Sequence, residues 1–135
     1  MPNGNSIQSG KTLKNSTLLL DLDFGDGIAA YSAYVCTPHP TNPDKWKVAQ
    51  ILTREGKSTD AQLDSFEFNG PGAGAKLMIF VSAEMTLPSP QGDVELKGSI
   101  KNVATSKEIV QATQGFTLQN GGKVQLELRM VVEGE

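Results

Sequence analysis

The chain has 135 residues, 12 basic and 15 acidic side chains, a net charge of −3, 38% hydrophobic and 6% aromatic residues, enough for one packed domain and too few for two. One Cys, one His and one Trp exclude an intrachain disulfide framework, a Cys/His zinc site, a haem or iron–sulfur centre, and any site built on two histidines. The acidic balance and the lack of a Lys/Arg run argue against nucleic acid, whose binding needs a basic stripe to displace counterions.

Residues 1–15 are polar and rich in Gly, Ser and Asn, so a flexible N-terminal arm is expected, with residues 16–135 forming a single domain. Lys11 and Lys14 precede Leu18-Leu19-Leu20 as in the start of a signal peptide, but Asp21 and Asp23 break the apolar run and no cleavage site follows. Leu18, Leu20, Leu22 and Phe24 then alternate with Leu19, Asp21 and Asp23, the period of a half-buried strand. Gly25-Asp26-Gly27 tolerates positive φ and predicts a hairpin into a strand over 28–36. Pro38, Pro40 and Pro43 place a loop next. In the strand over 45–54 the inward set shifts from Trp46 and Val48 to Ile51, which predicts a β-bulge near Ala49-Gln50.

Residues 55–63 hold the one plausible helical turn, with Thr59 and Gln62 at capping-box spacing. Phe66 and Phe68 bracket Glu67 in a short strand, and the glycine-rich run 70–74 is a loop before the most hydrophobic strand, 76–85. Its uninterrupted apolar run, Leu77 to Val81, is far below the ~20 residues of a membrane-spanning helix, so no membrane span is expected. Three strands of clean alternation follow: Val94, Leu96 and Ile100; Val110, Ala112, Phe116 and Leu118; and Val124, Leu126, Leu128, Met130 and Val132. Asn120-Gly121-Gly122 is a strong hairpin signal between the last two, and Thr105-Ser106-Lys107 a weaker one before them. The pattern predicts an all-β fold, an antiparallel two-sheet β-sandwich of about eight strands, immunoglobulin-like or jelly-roll in type.

Several stretches imitate functional motifs. Ser9-Gly10-Lys11-Thr12 ends like a phosphate loop, but five residues instead of four separate Gly10 from Gly4, and neither a strand before nor a helix after it is in place. Asp21, Asp23 and Asp26 are weak metal candidates: the third carboxylate and the glycine miss their positions in a calcium loop, leaving only a looser site at a sandwich edge. Cys36 and His39 are near enough in sequence for a thiolate–imidazole pair, although a lone Cys more often packs as a small hydrophobe. Glu84, Asp93, Glu95 and Glu127 are carboxylates available to glycoside chemistry, yet all fall on outward positions or loop edges. Tyr31, Tyr34 and Trp46 are the candidate aromatic platform for a small ligand or sugar.

No cofactor or catalytic constellation emerges, so the first functional reading is a non-catalytic interaction module that acts through self-association, as a homodimer, or through a protein partner. The alternative is a small-ligand or carbohydrate-binding module, calcium-assisted through Asp21, Asp23 and Asp26, and the third a hydrolase. The interface is expected on the strand 76–85. If Leu77, Ile79, Val81 and Ala83 face the core, Met78 and Phe80 face out, where Leu19, Ile51 or Val131 extend the patch if their strands lie alongside. The single Cys and the missing signal peptide point to the cytoplasm, with export by a non-standard route left open.

Overall fold

In the computed structural model, which describes residues 7–42, 44–58 and 64–135, the period-two segments become strands whose apolar faces meet between two sheets. The strands are β1 (Gln8–Thr12), β2 (Thr17–Asp23), β3 (Ile28–Pro38), β4 (Trp46–Ser58), β5 (Asp64–Asn69), β6 (Lys76–Thr86), β7 (Gly92–Asn102), β8 (Glu108–Leu118) and β9 (Val124–Gly134). One sheet runs β1-β9-β6-β3-β4 and the other β5-β2-β7-β8. The expected β-sandwich is therefore present, with nine strands among the described residues. Leu18, Leu20, Leu22 and Phe24 from one sheet meet Ile79, Val81, Leu128 and Met130 from the other, all at 0–1% exposure. Burial of this order, ~25 cal/mol per Å² of apolar surface, is the main force holding the layers together.

The ninth strand corrects the reading of the N-terminus. Gln8–Thr12 is not part of a free arm; it pairs in parallel with Met130–Gly134 of β9. Its polar sequence shows no alternation, because the strand is held by a backbone ladder and by two close approaches. Gly10 lies where any Cβ would run into the Ile109 carbonyl of β8. The buried Asn102 Nδ2 donates to Thr12 Oγ1 at 3.1 Å, fastening β1 to the far sheet.

The two strongest turn signals also act differently from expectation. Gly25-Asp26-Gly27 closes tightly, with Gly27 N–H donating to Phe24 C=O at 3.0 Å and Gly25 at φ 58°. It joins β2 of one sheet to β3 of the other, so it is an arch rather than a hairpin. Asn120 and Gly121, at φ 59° and 68°, likewise carry the chain from β8 to β9 across the sandwich. The weaker signal is the true hairpin: β7 and β8 pair through the 103–107 turn, where Ser106 takes φ 58°. The arch after β6 lies beside them, Gly121 N–H donating to Pro90 C=O at 2.6 Å, so three crossings stack at one end of the molecule.

The bulge expected at Ala49-Gln50 is present, since Val35 pairs with Gln50 but Cys36 with Val48. Two further register shifts lie between Tyr31 and Tyr34. The registers reverse the inward assignment of this strand: Trp46, Val48 and Ile51, read as the inward set on either side of the bulge, stand opposite Pro38, Cys36 and Tyr34 on the outer face, and Leu52 packs against the core. Of residues 55–63, read as a helical turn, 55–58 belong to β4, and Thr59 and Gln62 lie outside the described residues.

Candidate functional site: the outer face of the five-stranded sheet

Registers across β9, β6, β3 and β4 bring the notable outward side chains into two rows. Val131, Met78, Cys36 and Val48 form one; Arg129, Phe80, Tyr34 and Ile51 form the next. Both rows point away from the core because their sequence neighbours Ile79, Val81, Val35 and Met130 point into it. Phe80 is the centre. Its ring stacks on Tyr34 with centroids 6.4 Å apart and planes 20° apart, and the Arg129 guanidinium lies 5.0 Å from its centroid. Arg129 also pairs with Glu127 at 3.3 Å, so the patch carries a locally compensated charge. Val48 and Ile51 are 53% and 41% exposed on the edge strand.

Of the three proposed interface residues, Phe80 and Val131 are half-buried on this face, whereas Met78 is already only 6% exposed. Met78 sits mid-row between Val131 and Cys36 and is already covered, so it supports the patch instead of offering surface to it. Leu19 lies on the other sheet and does not extend the patch; Ile51 and Val131 do. Beyond Phe80 the same face turns polar, with Ser32, Ser82, Glu84 and Gln125 lining a groove of ≈ 470 Å³ in which Gln125 Nε2 donates to Ser82 Oγ at 2.6 Å.

The candidate aromatic platform does not assemble. Tyr31 points into the core against Phe24, 4.9 Å between centroids, and its hydroxyl donates to Asp64. Its ring lies flat under Gly56 of β4, where a Cβ would strike it. Burial, followed by the Asp64 hydrogen bond and charge, raises the Tyr31 pKa above that of an ordinary tyrosine. Tyr34 and Trp46 share the outer face but stand on different rows, beside Ile51 and Pro38.

Most of the remaining candidates are engaged locally. Asp21 Oδ1 accepts from Ser65 Oγ at 2.5 Å, Asp23 Oδ1 accepts from Gly25 N–H at 2.8 Å, and Asp26 is exposed in the arch. Among the described residues no three His, Cys, Asp or Glu side chains come together as a metal site. Cys36 is buried on the outer face and its thiol is pushed above the ordinary value of 9.0 by desolvation, the reverse of an activated thiolate. His39 folds back on its own loop, its Nδ1 accepting from Thr41 N–H at 3.2 Å. The four carboxylates divide between the two outer faces. Glu84, Glu95 and Glu127 pair with Lys123, Lys97 and Arg129, and Asp93 accepts from Thr117 Oγ1. No helix is long and apolar enough to cross a membrane among the described residues. Comparisons with protein-family models, with curated proteins and with solved structures give no match.

Proposed function

We propose that this protein works by contact, as a non-catalytic β-sandwich interaction module that self-associates through the outer face of its five-stranded sheet. The observation that carries the reading is the row Arg129–Phe80–Tyr34–Ile51, with exposed Val48 beside it. Tyr, Phe and Arg in a stacked, pre-ordered cluster are the residue types that dominate interface energetics, because large rigid side chains bury much area for little lost rotamer freedom. Sandwiches with one sheet face in water ordinarily keep that face polar, as β7 does with Asp93, Glu95 and Lys97.

The contact is face to face. Edge-to-edge addition at β4 would need a flat ladder, and its three register shifts twist and interrupt that edge. A two-fold arrangement uses each side chain of the patch twice, so Phe80, Tyr34, Ile51 and Val48 together supply eight side chains per dimer. The solution mass of the chain and of Phe80→Asp tests the reading. A second protein docking on the same face is the other occupant, and it would leave the isolated chain monomeric. A reducing, cytoplasmic setting suits the single buried thiol.

A further inference from the structure

We propose that the polar groove beside Phe80 is the receptor for the Phe80–Tyr34 pair of a second copy, so that two chains interlock ridge into groove. The inference rests on self-association through the outer sheet face and adds how the two copies seat.

Register places the groove directly beside the rings. Two residues along each strand from Arg129, Phe80 and Tyr34 lie Glu127, Ser82 and Ser32, and two further on lie Gln125, Glu84 and Ala30, with Lys57 completing that row on β4. Each step of two residues is about 7 Å. The small side chains Ala30, Ser32 and Ser82 leave the face low, and Lys57, Glu84 and Gln125 wall the hollow of ≈ 470 Å³. An aromatic ridge and a hollow of small residues thus share the same strands, which is what a self-complementary patch requires.

Shape and charge select one two-fold axis. An axis along the strands lays ridge on ridge and leaves the two hollows facing each other unfilled, against the close packing of interface cores. An axis across the strands, between the Phe80 and Ser82 rows, keeps the two sheets aligned and turns each ridge over the other hollow. Phe80 then lies over the second copy's Ser82, and Tyr34 over its Ser32. Ile51 and Val48 rest on the stems of its Arg54 and Lys57. Arg129 lies over the second copy's Glu127. Each chain already pairs these two residues at 3.3 Å, so the four charges alternate in sign across the contact.

Analytical ultracentrifugation of groove and ridge variants of the full chain tests this. Ser82→Trp fills the groove while both rings stay in place, and it is expected to raise the dimer dissociation constant at least about thirtyfold. Ala30→Trp takes its place, from an exposed position of the same groove, should the first variant not fold. Phe80→Ala removes the ring and keeps the groove. An equimolar mixture of the groove-filled and ring-deleted chains is expected to form a heterodimer about tenfold or more tighter than either variant forms with itself, because one intact ridge meets one intact groove. With Ser82→Trp the added indole also enters the space the lost ring leaves. A folded groove-filled variant that dimerises as tightly as the wild type overturns the seating and leaves self-association standing, and so does a mixture that yields no heterodimer. A wild-type chain that stays monomeric overturns self-association itself, and the seating with it.

Discussion

Tyr34 and Phe80 face one another across β3 and β6 with ring centroids 6.4 Å apart, while the guanidinium of Arg129, from β9, lies 5.0 Å from the Phe80 centroid. Three strands thus contribute to one stack on a sheet face that meets water. The arrangement follows from register alone: each residue is the direct cross-strand partner of the next, and such pairs are worth roughly 0.2–1 kcal/mol each. The stack is held in place before any partner arrives, which lowers the entropy lost on contact.

Tyr31, Gly56 and Asp64 form a tie between the sheets at the open side. Tyr31→Phe removes the hydroxyl that donates to Asp64 and is expected to cost about 1 kcal/mol. Gly56→Ala drives a methyl into the Tyr31 ring and is expected to cost more, about 1–3 kcal/mol. Urea denaturation of both variants checks the order.

Asn102 does three tasks from a buried position. Its Nδ2 donates to Thr12, and its Oδ1 accepts from Ala104 N–H at 2.9 Å and Thr105 N–H at 3.2 Å. Asn102→Ala strands these partners and is expected to cost about 2–3 kcal/mol. Hydrogen exchange should rise first in Gln8–Thr12, the strand that Asn102 fastens, and unchanged protection there would contradict this role.

The titration of Cys36 and Tyr31 sets a pH dependence. Both pKa values are raised in the folded chain, by desolvation first, above ordinary values of 9.0 and 10.0. The native state therefore keeps protons that the unfolded chain releases. Stability from this source is complete below pH about 9 and declines as pH rises beyond it. Urea midpoints measured from pH about 8 to about 11 should fall, less steeply in Cys36→Ala over the lower part and in Tyr31→Phe over the upper. Native Cys36 should also react with a thiol reagent at least about a hundredfold slower than in denaturant.

Calcium is expected to have no effect on thermal stability. Asp21 and Asp23 already accept hydrogen bonds from Ser65 and Gly25, and Asp26 is exposed in the arch. A ligand of the native state raises its melting temperature by mass action. A rise of several degrees in millimolar calcium, lost in Asp23→Ala, would contradict the local roles assigned to these carboxylates.

Alternation made eight of the strands legible, because a half-buried strand writes its period into the chain whatever its neighbours are. What alternation does not encode is pairing. Gly25-Asp26-Gly27 and Asn120-Gly121-Gly122 specify tight reversals, but a reversal leads to a hairpin or an arch according to how distant strands pack, and here β7 and β6 take the partner positions. β1 carries no apolar period since its place depends on a parallel ladder and on Asn102, 90 residues away. The spacing of Trp46, Val48 and Ile51 across the bulge shows that they share a face, but which face it is depends on their partners Pro38, Cys36 and Tyr34, which the strand's own sequence does not encode. The outward direction of Met78 and Phe80 was readable from β6; that Met78 is covered and Phe80 is not depends on Cys36, Val131 and Tyr34, which only the assembled sheet brings alongside.

The most direct test of self-association through the outer sheet face is the mass of the chain in solution, measured by light scattering during size-exclusion chromatography at tens of micromolar. The expected result is a dimer, twice the 14.4 kDa of one chain. Phe80→Asp should return it to monomer with an unchanged β-type circular dichroism spectrum. Val48→Lys with Ile51→Lys, both at exposed positions that tolerate charge, should do the same without touching a half-buried ring. A wild-type chain that elutes as a monomer at these concentrations, or a dimer that persists in the Val48→Lys, Ile51→Lys double variant, would contradict the proposed interface.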